Sequence, residues 1–451
     1  MALESHNMKH QLHFLLVPYL CPGHLIPMVD IARLLVNHGA FVTFVTTPLN
    51  VKRIKPLIDT VNASKLRIRL IQFEIPVLEF GLPEGCESLE LVPSRALIRS
   101  FMFALSKLQT PIEELIEASP ISCILVDKFN YWMENVAMKF QIPRLIFDGT
   151  SCMNLLLLHN LFKSKVYENV QESKPIVVPN LPHRIELTKS QLPLELNPEA
   201  KDLRDLDEKI RTSQESAYGY VINSFEELEL DYVKEYKKVK GNKVWCIGPV
   251  SLSYNNNVGQ RALAQFQELA LALESCNFPF IWVMKEDDLF DSEFEERTKE
   301  RGLIIHGWAP QVLLLSHNAI GVFLTHCGWN STLEAICAGL PMITWPMFAD
   351  QFFNEKLIVQ ILCIGEELGN EIAIPLGKQE NYGASIKREK IVEAIEKVIG
   401  DGAKKEERRE SVRKLAELAK KSMEVGGSSY LNMKMLLDDM ETLTFGKPST
   451  Q

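Results

Sequence analysis

One pattern repeats through the first third of the chain: a strand-length apolar run, an amphipathic stretch, then another apolar run. HFLLVPYL (13 to 20), AFVTFVTT (40 to 47), LRIRLIQF (66 to 73), CILVD (123 to 127) and RLIFD (144 to 148) are the runs. Several are apolar throughout rather than alternating, as strands covered on both faces are. After Gly23-His24, the residues Leu25, Met28, Val29, Ala32 and Leu35 recur at helical spacing, with Pro27 suited to a first turn and Gly39 as a stop. Strand, helix, strand in this order requires parallel pairing through right-handed crossovers. The N-terminal half is therefore expected to be a doubly wound α/β domain.

The chain is too long for that domain alone: 451 residues exceed what one core usually holds. YGYVINS (218 to 224) and KVWCIGP (243 to 249) continue the alternation. Beyond a linker containing SYNNN, FPFIWVM (278 to 284), GLIIHGW (302 to 308), AIGVFLT (319 to 325) and PMITW (341 to 345) set out a second α/β domain. The last amphipathic stretch, Tyr430 to Leu443, is compatible with either domain, packing back on the N-terminal one included. A formal charge of −9 offers no excess of cations for nucleic acid. Nine scattered cysteines without a C-x-x-C pair read as reduced thiols in a cytoplasmic protein. No apolar run approaches the roughly 18 residues of a transmembrane segment.

Chemistry concentrates between Trp308 and Gln351. A strand (319 to 325) runs into the tight turn His326-Cys327-Gly328-Trp329-Asn330, and a helix is expected to open at Ser331. Backbone N–H groups and the positive end of the helix dipole then point out of the sheet's carboxyl edge, where nucleotides bind in such folds. His326, Asn330 and Ser331 add donors. Glu334, one turn on, suits two ribose hydroxyls, and Trp308 is placed to stack a base. Ser331 or Asn330 taken alone is equally an N-cap.

This segment, 44 residues long without a gap, resembles the signature box of plant secondary-metabolite UDP-glycosyltransferases, inverting enzymes of two Rossmann-like domains facing a cleft (the GT-B fold). The resemblance implies that Trp308 stacks the uracil, Gln311 contacts the uridine and Glu334 holds the ribose. It gives the diphosphate to His326, Asn330 and Ser331, and the sugar hydroxyls to Trp329, Asp350 and Gln351. Ala309 and Gly328 complete the donor set, and Gln351 resembles the closing residue of glucose-using members. Residues 1–250 would then bind the acceptor and 251–451 the UDP-sugar. UDP-glucose is a substrate in such enzymes, with no cofactor and no metal required, and a monomer is expected. The acceptor class it points to is lipophilic phenolics, terpenoids or hormones, a reading that GLPEGCESLE (81 to 90) fits; Ile75 to Phe80 and Met153 to Leu161 are candidate pocket segments.

Pro22-Gly23-His24 lies where the first strand hands over to the first helix. His24 reads either as a packed or capping residue or as a general base; in the family, the matching His takes the acceptor's proton and an Asp orients it. Asp127 closes CILVD at the same sheet edge, as base-and-orienter logic requires. The expected reaction is a single displacement that inverts the anomeric centre. Asp205-Leu206-Asp207 looks like a metal-binding DxD but lies in a charged helical stretch, so it is read as a solvated face, as is Glu286-Asp287-Asp288. No G-x-G-x-x-G follows the first strand, which argues against a dehydrogenase.

One place departs from the family pattern. The C-terminal domain should open with an apolar strand and a Gly-Ser turn, yet no run of four β-formers exists between Val250 and Gln260. The first strand of that domain is expected to be missing, with KVWCIGPV as the candidate substitute. The alternative reading is thus a degenerate or mis-spliced relative with weak or no activity.

Overall fold

The apolar runs of the first half become one parallel sheet in the computed structural model, which describes residues 11–63, 68–168, 170–171, 174–193, 196, 203–253, 263–284, 292–307, 309–371, 386–400 and 403–446. Its strands are β1 (His13–Val17), β2 (Phe41–Thr46), β3 (Ile68–Gln72), β4 (Cys123–Asp127) and β5 (Arg144–Asp148), with β8 (Gly219–Ile222) and β9 (Val244–Cys246); between them in sequence, β6 (Ile176–Val177) and β7 (Glu186–Leu187) form a separate antiparallel pair. The order is β3-β2-β1-β4-β5-β8-β9. Every residue of β4, β5 and β8 is buried, because the sheet is covered on both faces as its uninterrupted apolar runs require. KVWCIGPV is an edge strand of this first sheet, with Tyr220, Val221 and Ile222 opposite Val244, Trp245 and Cys246; it does not substitute in the second.

By its contacts the chain divides into two units. The first is Met1–Cys152, Pro198–Ser253 and Lys421–Gln451, and the second is Met153–Asn197 with Tyr254–Lys420. Beside the expected boundary at 250, therefore, the C-terminal tail groups with the first unit and 153–197 with the second. The final helix, Ser428–Phe445, places Met433, Leu436 and Met440 in the core with Phe14, Phe44, Leu125 and Phe147. Lys243 on the first unit's side holds its Asp439 at 2.6 Å. No helix among the described residues is long and apolar enough to cross a membrane.

In the second unit the parallel strands form two separate sheets. β10 (Phe280–Met284) pairs with β11 (Gly302–His306), while β12 (Phe323–Thr325), β13 (Met342–Thr344) and β14 (Gly365–Glu367) form the other. Both contribute to one core, in which Trp282 and Met284 cluster with Ile343, Trp345, Leu368 and Ile391. Among the described residues no strand joins β10 to β12. The segment in which the missing strand was sought lies largely outside the described residues; only 250–253, a short 3₁₀ turn, are seen.

Candidate active site

Adjacent parallel strands bring the first pair of candidate residues together. β1 and β4 are neighbours in register, Val17 opposite Val126, so the segments that follow both strands emerge at one edge. The buried Asn130 side chain fixes the two ends by donating to the carbonyls of Val17 (3.2 Å) and Pro18 (2.9 Å). From the β1 end the chain enters the helix Pro22–Asn37, whose first turn carries His24. Its Nδ1 lies 2.6 Å from Oδ2 of Asp127, a carboxylate with no exposed surface, while the imidazole keeps 23% of its surface open. The other oxygen of Asp127 accepts the Phe129 backbone N–H at 3.1 Å. With Nδ1 occupied, Nε2 is the nitrogen able to take up a proton.

Aromatic rings confine this imidazole. Tyr19 and Phe129 stand edge-on to it at centroid distances of 5.7 and 5.5 Å. Burial pulls its pKa down, but the charge and hydrogen bond of Asp127 outweigh burial, and the net direction is up. Lys128 and Asp148, next to this dyad, form an ion pair of 3.0 Å; sequence reading had not singled them out.

The second unit carries the residues that the sequence assigns to the donor. The helix after β12 runs Trp329–Cys337, so it begins two residues before the expected Ser331, because Gly328 in an extended conformation serves as its cap. Trp329, Asn330 and Ser331 accordingly occupy its first turn, and Thr332 N to Gly328 O (2.9 Å) closes that turn. A Cβ at 328 would lie 2.5 Å from Nε2 of His326, so a larger residue there would displace that ring. Cys327 takes φ of 66°, steadied by its N–H bond to the Thr325 hydroxyl at 3.1 Å. The first-turn amides and the dipole make this a place for an anion.

Gln311 joins the rest. Its amide donates to the Ser331 hydroxyl (3.1 Å) and to the buried Glu334 carboxylate (2.8 Å), so three predicted donor residues form one cluster. Ala309 is buried just before the Gln311–Leu315 helix, and Trp308 lies outside the described residues. Asp350 stands at the N-cap position of the helix Gln351–Lys356 without a side-chain capping bond, and the Gln351 side-chain oxygen accepts the N–H groups of Met347 (2.8 Å) and Phe348 (3.1 Å).

Two residues that sequence reading missed tie these parts together. The buried Asn354 amide donates to the Cys327 carbonyl at 2.8 Å and approaches Asp350 Oδ2 at 3.3 Å. Asn154 donates to Asn354 Oδ1 at 2.8 Å and to the same Asp350 oxygen at 3.3 Å. The Asp350 carboxylate and the turn before the Trp329–Cys337 helix thus share one buried amide network. Asn354, one turn after Asp350 on the same helix, was within reach of a spacing argument; Asn154 was not.

Of the two acidic stretches, one lies on a helix and the other outside the described residues. Asp205 pairs with Arg99 and Leu206 is buried, as on an ordinary amphipathic helix. Glu286-Asp287-Asp288 lie outside the described residues. Met153, Leu155, Leu156, Leu157 and Leu161 are buried, while in the 75–80 segment Ile75 and Val77 are buried and Leu78 is exposed.

Comparison with known proteins gives the same family at each level. The family model described as UDP-glucoronosyl and UDP-glucosyl transferase matches residues 235–367. UDP-glycosyltransferase 73E1 of Stevia rebaudiana is 42% identical, the alignment covering 95% of this chain and 96% of that protein, and UDP-glycosyltransferase 73D1 of Arabidopsis thaliana is 40% identical over 95% and 97%. The first alignment spans 476 positions against 451 residues here, so the relative carries sequence with no counterpart in this chain. Among solved structures, Glycyrrhiza uralensis UGT73P12 complexed with glycyrrhetinic acid 3-O-monoglucuronide superposes with a TM-score of 0.87 at 32% identity, covering 96% of each chain. Phytolacca americana UGT2 complexed with UDP-2fluoro-glucose and pterostilbene gives 0.76 at 25%, covering 95% of this chain and 99% of its own. With 40 to 42% identity to such enzymes over 95% of its length and a GT-B fold, this chain belongs to the UDP-glycosyltransferase family of plant enzymes.

Proposed function

We propose that the protein transfers glucose from UDP-glucose to a hydroxyl of a small lipophilic acceptor, a phenolic, terpenoid or hormone, with inversion at the anomeric carbon. The observation that carries this reading is the 2.6 Å contact between His24 and the buried Asp127. Asp127 holds the ring by Nδ1, so Nε2 accepts the acceptor's proton as its oxygen attacks, and the imidazolium that forms is stabilised by the carboxylate. The second unit carries the donor: uracil against Trp308, uridine at Gln311, ribose at Glu334. The diphosphate takes its hydrogen bonds from His326, Asn330, Ser331 and the first-turn amides, where leaving-group charge develops. Asp350, Gln351 and Trp329 bind the sugar. The scheme asks for no metal or cofactor, and a cytoplasmic monomer suffices for it. The ligands of UGT73P12 and UGT2 support the acceptor class.

The test is incubation with UDP-glucose and a panel of phenolic and terpenoid acceptors, with the product's anomeric coupling read by NMR. A β-glucoside is expected, and an α-glucoside would refute the inverting displacement. A second reading, a degenerate relative that binds nucleotide weakly, is favoured by the two separate sheets of the second unit. Calorimetric titration with UDP separates the two: a formed donor site binds, and a collapsed one gives no heat.

A further inference from the structure

A carboxylate that grips a histidine creates a problem for a general base. Asp127 favours the imidazolium, the form that has no lone pair to offer, and a base must be neutral at the working pH. The surroundings of His24 contain the opposing charge. Lys128 directly follows Asp127, and its ammonium stands 5.2 Å from the centroid of the Phe129 ring, which also stands against the His24 imidazole. A lysine so close to the surface would ordinarily extend its head into water. Here it keeps only 16% of its side chain exposed because Asp148, at the end of β5 and 4% exposed, holds it at 3.0 Å. The next residue, Gly149, lies against the imidazole, so the pair is anchored on the backbone that borders His24.

We propose that Lys128, held in place by Asp148, is an electrostatic counterweight to Asp127 that keeps His24 in the form able to accept a proton. Lys128 and Asp148 are positioning residues acting through His24, and the inference rests on the reading of His24 as base. The other ionisable groups nearby do not supply this balance. Tyr19 and Cys21, in the loop before the His24 helix, are driven by burial toward their neutral forms, and Glu90 behind them acts against ionising both. The balance therefore lies among Asp127, Lys128 and Asp148, which favour, oppose and favour the imidazolium in turn.

The test is a titration of His24 by NMR of histidine-labelled full-length protein, assigned with His24→Gln, beside the pH profile of kcat/KM. Lys128→Gln removes the opposing cation, so the midpoint should rise by about half a unit or more. Asp148→Asn frees Lys128 to extend into water, so adding Lys128→Gln to it should move the midpoint by less than Lys128→Gln does alone. Lys128→Arg keeps the wild-type midpoint. A Lys128→Gln variant that titrates at or below wild type overturns the counterweight, whereas a purely structural role predicts no rise. If Lys128→Gln does not fold, Lys128→Met gives the same comparison. The acid limb of kcat/KM should follow the NMR midpoint; a midpoint that moves while the limb stays put defeats the reading of His24 as base and leaves the counterweight standing.

Discussion

The two units apply the same parallel architecture with different completeness. In the first, β1 is an interior strand, hydrogen-bonded to β2 on one side and β4 on the other, and seven strands form one sheet. In the second, β11-β10 and β12-β13-β14 look like the two flanks of such a sheet, with no described strand between them. Burial follows. FIWVM and GLIIH are as apolar as the runs of the first sheet, yet Ile281, Val283 and Leu303 are exposed by 39, 42 and 54%, where β4 and β5 are fully covered. A central strand fills the middle of a sheet and also fixes the layer that packs on it. The proposed chemistry divides between the units in the same way, with the His24–Asp127 pair on the continuous sheet and the Gln311–Ser331–Glu334 cluster on the divided one.

Separating these roles by mutation gives the largest expected effect. His24→Ala should lower transfer by roughly 10²–10⁴-fold, the usual worth of a general base, while UDP binding, measured by calorimetry, stays within a factor of two or so of wild type. Loss of UDP affinity in that variant would mean that the base does not act in the first unit alone. Next in size is the difference in local stability. Amide hydrogens of β10 and β11 should exchange on the order of 100-fold faster than those of β1 and β4, since local opening is cheapest where few apolar contacts are buried. Equal protection in both sheets would show that the divided sheet is as cohesive as the continuous one. Glu334→Ala should weaken UDP binding by roughly tenfold or more, through loss of hydrogen bonds to a charged group, and leave the titration of His24 unchanged.

How far this was legible from sequence differs between the units for a physical reason. Strand-length apolar runs announce strands whether or not both faces end up covered, so β1 to β5 and β10 to β13 were readable. β14 was not: its sequence is Gly-Glu-Glu, and as an edge strand its Glu366 is satisfied by Lys397 (3.3 Å) and Arg408 (2.7 Å) rather than by burial. The His24–Asp127 encounter was legible because neighbouring parallel strands deliver their ends to one place. The Asn154–Asn354–Asp350 network was not, since some 196 to 200 residues of chain separate its partners and only packing brings them together. The helix start was misplaced by two residues because the cap is the backbone of Gly328, which carries no side-chain signal.

The smallest predicted effect concerns how each unit treats its buried acids. Asp127 and Asp148 end strands of the first sheet, and each faces a cation or a group able to become one, His24 and Lys128. Glu355, in the second unit, is 2% exposed and meets the Thr344 hydroxyl at 2.6 Å, with no ion pair among the described residues. Burial pushes its pKa up to about 7, with the Thr344 hydrogen bond pulling against it and the charge of Glu367 adding to the rise. The sign of the consequence follows from proton linkage: the unfolded chain gives up this proton near the ordinary carboxylate value while the fold retains it, so stability is full in acid and declines as pH rises toward 7. A pKa unit is worth about 1.4 kcal/mol, and about 1 kcal/mol moves the Tm of a domain this size by roughly 2–4 °C. Glu355→Gln, which keeps a hydrogen-bonding side chain and has no charge to bury, should therefore raise the Tm of the second unit by a few degrees at pH 8, about 2–4 °C for each kcal/mol relieved, and do little at pH 5. Calorimetric scans at the two pH values decide it. Were wild type and variant to lose stability equally between pH 5 and 8, Glu355 would have to find a compensating charge in the fold, and the contrast between paired and unpaired acids would disappear.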